Sequence, residues 1–80
     1  MNRYESMIRF EGFEIIGHEE ILGKEMIRAE KMIGDKKISI ICDNNGTARI
    51  DKPNGTSKWY YEKSYPQIGK ILRQVVNFYI

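Results

Sequence analysis

The feature that most limits how this chain can fold is an amphipathic segment near its end. Ser64 is followed three residues later by Gln67, the pattern of a helix capping box, and Pro66 suits the first helical turn. Apolar residues then recur at helical spacing, at Ile68, Ile71, Leu72, Val75, Val76 and Tyr79. We therefore expect a C-terminal helix that lies across one face of a small sheet and leaves the other face free.

The middle of the chain predicts a three-stranded antiparallel meander over residues 38–62. Asn45-Gly46 and Asn54-Gly55 are typical turn dipeptides, because glycine and asparagine tolerate the positive φ that tight hairpins require. The segments around them are rich in β-branched and aromatic residues. An extended segment over residues 7–16 adds an N-terminal strand. The expected fold is a single α+β domain spanning residues 1–80.

Residues 19–33 allow two interpretations. Leu22, Met26, Ala29 and Ile33 recur at helical spacing, and Gly34 suits the position after a helix, so a second helix is favoured. Gly23, however, lies inside the segment. If the glycines are breaks, the same residues form further β-strands.

The rare residues restrict the chemistry and the compartment. Cys42 and His18 are the only cysteine and histidine, which excludes an internal disulfide and a zinc site built from four such ligands. We expect no metal and no cofactor. An unpaired cysteine suits a reducing compartment, no apolar run approaches about 18 residues, and residues 1–5 lack the uninterrupted apolar stretch that is typical of a signal peptide. A cytoplasmic protein without membrane contact is expected.

A stretch that is both basic and aromatic, residues 52–65, is the strongest candidate for a binding surface. If Trp59 and Tyr61 face the core, strand alternation places Tyr60 outside, between Lys58 and Arg49. Rings beside cations can stack unpaired bases or anchor a protein, although lysines also simply solvate edge strands. The predicted binding residues are Arg49, Lys52, Lys58, Tyr60, Lys63, Lys70 and Arg73.

The net charge of +2 is spread unevenly. Residues 1–35 carry five basic and eight acidic side chains, whereas residues 36–80 carry eight basic and three acidic ones. This asymmetry predicts either a charge-split surface or two halves that pair with each other. The predicted acidic interaction face comprises Glu11, Glu14, Glu19, Glu20 and Glu25.

Catalysis is not expected. The glutamates lack the apolar surroundings that raise a carboxyl pKa for acid catalysis, and no spacing argument brings a base to Cys42. The glycines are too dispersed for a phosphate-binding loop.

One element order is similar to a known family. With a helix over 19–33, residues 19–79 would run helix, three antiparallel strands, helix, which resembles the double-stranded-RNA-binding domain. That resemblance implies RNA contacts from a lysine-rich start of the last helix. This sequence has Ser64, Tyr65, Pro66 and Gln67 there, so the phosphate clamp is missing.

We therefore predict a non-enzymatic protein-interaction module, such as an adaptor, an inhibitor or a regulatory subunit. The alternative is a nucleic-acid-binding module that uses the basic and aromatic sheet face. A protein partner is expected in the first case, and an exposed sheet edge also allows a homodimer.

Overall fold

The structure, a computed structural model, describes residues 3–80 and contains two helices and five strands among them. In chain order they are α1 (Arg3–Phe10), β1 (Glu14–Ile21), β2 (Lys24–Ile33), β3 (Lys36–Cys42), β4 (Ala48–Asp51), β5 (Ser57–Tyr60) and α2 (Tyr65–Tyr79). The strands form one antiparallel sheet in the order β1-β2-β3-β4-β5. The expected α+β class is confirmed.

Both helices pack on the same face of the sheet, which we call the helix-covered face. Its core is a single cluster of buried side chains from both helices and from β2, β3 and β4. The main members are Met7, Ile8, Ala29, Ile38, Ile40, Cys42, Ala48, Ile50, Ile68 and Leu72. The opposite face carries no helix, and we call it the open face.

The C-terminal helix and the meander are confirmed. The Ser64 hydroxyl accepts from the backbone N–H of Gln67 at 3.4 Å, and the Gln67 side chain accepts from the Ser64 N–H at 2.8 Å. This capping box starts α2, and Pro66 occupies its first turn. Strands β3, β4 and β5 follow one another through the two Asn-Gly turns, as expected.

Residues 19–33 do not form the favoured helix. They form the end of β1, a tight turn and β2, so the alternative of further strands is correct. The alternation was hard to see because both faces of β2 bury apolar residues, with Met26 on the open face and Ile27 on the helix-covered face. The element order that resembled the double-stranded-RNA-binding domain is therefore absent.

The N-terminal segment is only partly extended. Of the expected extended segment over residues 7–16, only residues 14–16 lie in a strand, β1, which continues to Ile21, whereas residues 7–10 belong to α1. Tertiary packing stabilises this short helix, because Met7 and Ile8 are buried and Met7 lies against Gly69 of α2. A Cβ at Gly69 would stand only 3.2 Å from the Met7 Cγ, so glycine permits the close approach of the two helices.

Candidate functional site

The open face is the surface left free by the helices. The N-terminal third of the chain does not cover it, because β1 and β2 extend the sheet sideways and α1 lies on the helix-covered face. Cross-strand partners share a face, so the register identifies the side chains that point outward there. The charged ones are Glu14, Glu19, Glu30 and Asp51, and Lys24, Arg28, Lys37 and Arg49. Acidic and basic side chains are therefore balanced on this face.

These charges are largely paired with one another. Arg28 donates to both carboxylate oxygens of Glu19, at 2.8 and 2.7 Å, and this pairing lowers the pKa of Glu19. Arg49 donates to both oxygens of Asp51, at 3.0 and 3.2 Å. The two arginines flank Ile41 in register, and this residue is fully buried although no helix covers it. Aliphatic arginine stems readily cover such a neighbour.

The aromatic residues of β5 face the opposite way from our expectation. Tyr60 is half-buried against the core on the helix-covered face, whereas Trp59 lies on the open face in register with Arg49. Trp59 stacks with Tyr61, with ring centroids 6.2 Å apart and an interplanar angle of 15°. Alternation fixes which residues share a face, but it does not fix which face meets the core. The assignment of Trp59 and Tyr61 to the core was therefore wrong.

One end of the open face forms a shallow apolar depression of about 490 Å³, which we call the aromatic groove. Its apolar lining comes from the β1–β2 hairpin and from the end of β5, and it consists of Ile21, Leu22, Met26, Trp59 and Tyr61. Met26 is buried, while Leu22 is 94% and Tyr61 is 66% exposed. Aromatic residues and methionine are enriched where proteins contact each other.

The backbone is strained at both rims of this groove. Leu22 has φ 54° and Glu62 has φ 52°, and they are the only non-glycine residues between 3 and 80 with positive φ. With Gly23 at φ 77°, Leu22 forms a two-residue turn with positive φ at both positions, where asparagine is favoured. A bulky residue in that conformation costs roughly 1–3 kcal/mol. Leu22 offsets none of this cost by burial, because its side chain is almost fully exposed.

The charges beside the groove leave an acidic group uncompensated. The Lys24 ammonium lies 3.7 Å from the buried Asp43 carboxylate, whose other oxygen accepts from the backbone N–H groups of Asn45 and Thr47. Glu62, in contrast, has no ion-pair partner among residues 3–80. The lining of the groove therefore holds no unpaired cation, while Lys58 and Lys63 line a neighbouring depression that shares Trp59 and Tyr61.

The predicted basic residues do not all form one patch, but Lys58, Tyr60 and Lys63 line one shallow depression together with Trp59 and Tyr61. Arg49 lies on the open face, whereas Lys58 and Tyr60 project to the helix-covered side of the edge strand, where the Lys58 ammonium lies 5.3 Å from the Tyr60 ring centroid. Lys52 follows β4, and Lys63 precedes α2 and donates its backbone N–H to the Gly46 carbonyl. On α2, Lys70 and Arg73 are exposed.

The predicted acidic residues are likewise divided. Glu14 and Glu19 lie on the open face. Glu20 and Glu25 are cross-strand neighbours in the β1–β2 hairpin, and their side chains point to the helix-covered side of the sheet. Glu11 accepts from Arg73 at 2.8 Å, which joins one member of each predicted set. That ion pair spans a larger cleft of about 660 Å³ between α1 and α2. None of the described residues that line this cleft is a non-glycine residue with positive φ, which makes the aromatic groove the better candidate.

Sequence reasoning missed most of the groove. Leu22 was taken as a core position of a helix, and Met26 with it. One signal was present, since Leu22-Gly23 occupies the place of an Asn-Gly turn between two strands. Without the pairing of β1 with β2, nothing connected this turn to Trp59.

Other chemistry is sparse in the described part of the chain. Burial, reinforced by the Asp43 charge, raises the pKa of the Cys42 thiol to about 12, so the thiol is protonated at neutral pH. Between residues 3 and 80 no three His, Cys, Asp or Glu side chains cluster as metal ligands would. Neither of the two helices in that range has the length and apolar character needed to cross a membrane.

Comparisons with protein-family models, with curated proteins and with solved structures find no match to this chain. The candidate function therefore rests on the geometry of the groove alone.

Proposed function

We propose that this protein is a non-enzymatic interaction module that binds a partner protein through the aromatic groove. The observation that carries the proposal is Leu22, a large apolar side chain that is almost fully exposed in a strained turn conformation. An exposed leucine alone is unremarkable, but strain that persists without a structural gain is typical of functional positions. Next to the stacked pair Trp59 and Tyr61, it forms an apolar centre of the kind that supplies most of the binding energy at interfaces.

The surroundings of the groove support a protein rather than a nucleic acid. A phosphate backbone requires unpaired cations, and its binding is dominated by them. Arg28 and Arg49 are bound to carboxylates, Lys24 lies beside Asp43, and Glu62 adds an uncompensated negative charge. Stacked rings alone could hold a base, but the groove lining offers its phosphate no unpaired cation, and Glu62 would repel it.

The sheet edges support binding through the face. β5 is only four residues long, and β1 is interrupted by a bulge between Ile15 and Gly17. Short strands and bulges are features that discourage pairing with another chain. An adaptor, inhibitor or regulatory subunit in the cytoplasm would fit such a surface, and a buried, unpaired Cys42 suits a reducing compartment.

The test compares partner capture by three forms of the full chain. Leu22→Asn removes the apolar side chain and places a favoured residue in the turn, so the fold is kept. Phe78→Ser removes an equally large apolar side chain that is 80% exposed on α2, away from the groove, and serves as the matched control. We expect a specific partner to be retained by the wild type and by Phe78→Ser and lost by Leu22→Asn in quantitative pull-downs.

The nucleic-acid alternative is tested in parallel. Trp59 is the only tryptophan, so its fluorescence reports directly on the groove during titration with single-stranded and double-stranded oligonucleotides. We expect no response at low salt. Saturable binding that weakens steeply with added salt, together with capture that is the same for all three forms, would contradict the proposal.

A further inference from the structure

The aromatic groove offers hydrogen-bond donors that the protein itself does not use. The indole N–H of Trp59 and the hydroxyl of Tyr61 belong to the stacked pair, and neither makes a hydrogen bond within residues 3–80. Such rings combine an apolar surface with a polar edge that seeks a partner. A suitable ligand therefore presents flat apolar groups together with free acceptors.

A proline-rich segment has these properties. In the polyproline II conformation it has three residues per turn and no internal hydrogen bonds, so every carbonyl is a free acceptor. Its pyrrolidine rings pack on aromatic side chains, and its stiffness reduces the entropy lost on binding. A shallow aromatic surface, unlike a deep pocket, suits such a thin and extended ligand.

The charge at the groove specifies what flanks the prolines. Glu62 is exposed, carries no ion pair in the described part of the chain, and is held at the rim by its left-handed backbone. The cation at the other rim, Lys24, is already beside Asp43 at 3.7 Å. A basic residue next to the prolines would therefore find a carboxylate in the groove lining, whereas an acidic one would find only Lys24 there, because Lys58 and Lys63 line the neighbouring depression.

We propose that the aromatic groove binds a proline-rich segment in the polyproline II conformation, flanked by a basic residue that pairs with Glu62. This inference rests on the proposed interaction function and names the partner of the same site. The Trp59 and Tyr61 rings contact the prolines and donate to backbone carbonyls, and Leu22 closes the apolar side of the groove.

The experiment titrates the full chain with synthetic peptides while Trp59 fluorescence is recorded. The first peptide has six prolines, about two turns, followed by two arginines. The second replaces the prolines with alternating glycine and serine, the third replaces the arginines with glutamates, and the fourth has prolines only. We expect saturable binding below about 1 mM that is strongest for the first peptide, weaker for the fourth, and absent for the second.

Three variants separate the contributions. Tyr61→Phe keeps the ring and removes one hydrogen-bond donor. We expect it to bind the first and the fourth peptide roughly three- to tenfold more weakly than the wild type does. Glu62→Gln should weaken binding of the arginine peptide about threefold and leave the peptide of prolines only unchanged. Phe78→Ala is the control and should bind as the wild type does.

Several outcomes would overturn the inference. Equal binding of the glycine–serine peptide would show that the arginines alone are bound. Tighter binding of an amphipathic helical peptide of equal length would assign the groove to a helix. Concentration-dependent dimers in analytical ultracentrifugation that Leu22→Asn abolishes would assign it to a second copy of this chain. If no proline peptide binds but partner capture still depends on Leu22, this inference fails while the proposed function remains.

Discussion

Two turns of the same sheet differ in how closely the rest of the protein packs around them. The turn around Asn45-Gly46 faces inward: Asp43 accepts from two backbone N–H groups there, and Tyr4 donates to the Lys63 carbonyl beside it at 2.7 Å. The turn at Leu22-Gly23 has nothing packed around its glycine. The first turn, which we call the inner turn, has the residues that its backbone conformation favours. The second, which we call the outer turn, carries leucine where asparagine is favoured.

Under the proposed function, the turn around Asn45-Gly46 serves stability and the turn at Leu22-Gly23 serves contact with a partner. At the inner turn, side chains, backbone carbonyls and dihedral preferences agree, as expected where a sequence only has to specify its fold. At the outer turn, leucine occupies a position with positive φ that disfavours it, and no contact inside the protein compensates for this. Functional sites are where such conflicts are expected.

The largest effect that we predict is from alanine at the inner turn. A Cβ at Gly46 would lie 1.7 Å from the Lys63 carbonyl oxygen, at φ 84°, so Gly46→Ala forces the backbone apart. We expect a loss of free energy of unfolding on the order of 3 kcal/mol or more, measured by urea denaturation. Gly23→Ala is the matched control, because open space surrounds it and only its φ of 77° is unfavourable. It should cost about 1 kcal/mol, and similar losses at the two glycines would remove the contrast between the turns.

A smaller effect of opposite sign is predicted at Leu22. Leu22→Asn should raise the free energy of unfolding by about 0.5–1 kcal/mol, because it relieves an unfavourable backbone conformation and uncovers no buried surface. The measurement is again urea denaturation, with Phe78→Ser expected to be near neutral. If Leu22→Asn destabilises the protein, the leucine serves the fold, and its exposed position no longer supports a binding role.

The smallest effect is the pH dependence of the hairpin that carries the outer turn. Because Arg28 lowers the pKa of Glu19 below its ordinary 4.5, the folded state favours the ionised carboxylate. The resulting stabilisation is present above pH 4.5 and is lost as the pH falls through the lowered pKa of the folded state. Glu19→Gln should therefore lose less stability than the wild type on acidification through this range, as followed by circular dichroism. Solvent screening keeps the difference small, and identical acid profiles would show that the ion pair does not stabilise the hairpin.

The parts of the fold that could be predicted are those with strong local signals. α2 has both a capping box and a complete apolar stripe, and β3 to β5 are separated by Asn-Gly turns. α1 lacks comparable signals, because its eight residues depend on the contact of Met7 with Gly69, far away in sequence. Residues 19–33 were misassigned because Met26 and Ile27 are both buried, which hides the two-residue period of a strand.

The candidate site was less predictable than the fold. Its two halves, Leu22 and the pair of Trp59 and Tyr61, belong to opposite ends of the sheet order and meet only through the twist of five strands. The sequence showed that aromatic residues were concentrated in β5. It could not show which of them would remain outside, since that depends on the register of the whole sheet.

The sheet order described above also has a consequence for how the molecule forms. Each strand pairs with the one next to it along the chain, so every β-contact closes a short loop at little entropic cost. A low contact order of this kind favours rapid folding by successive hairpins. The contacts most distant in sequence are those of the two helices, which dock on each other and on one face of the sheet, and this docking would complete the native state after the hairpins have formed.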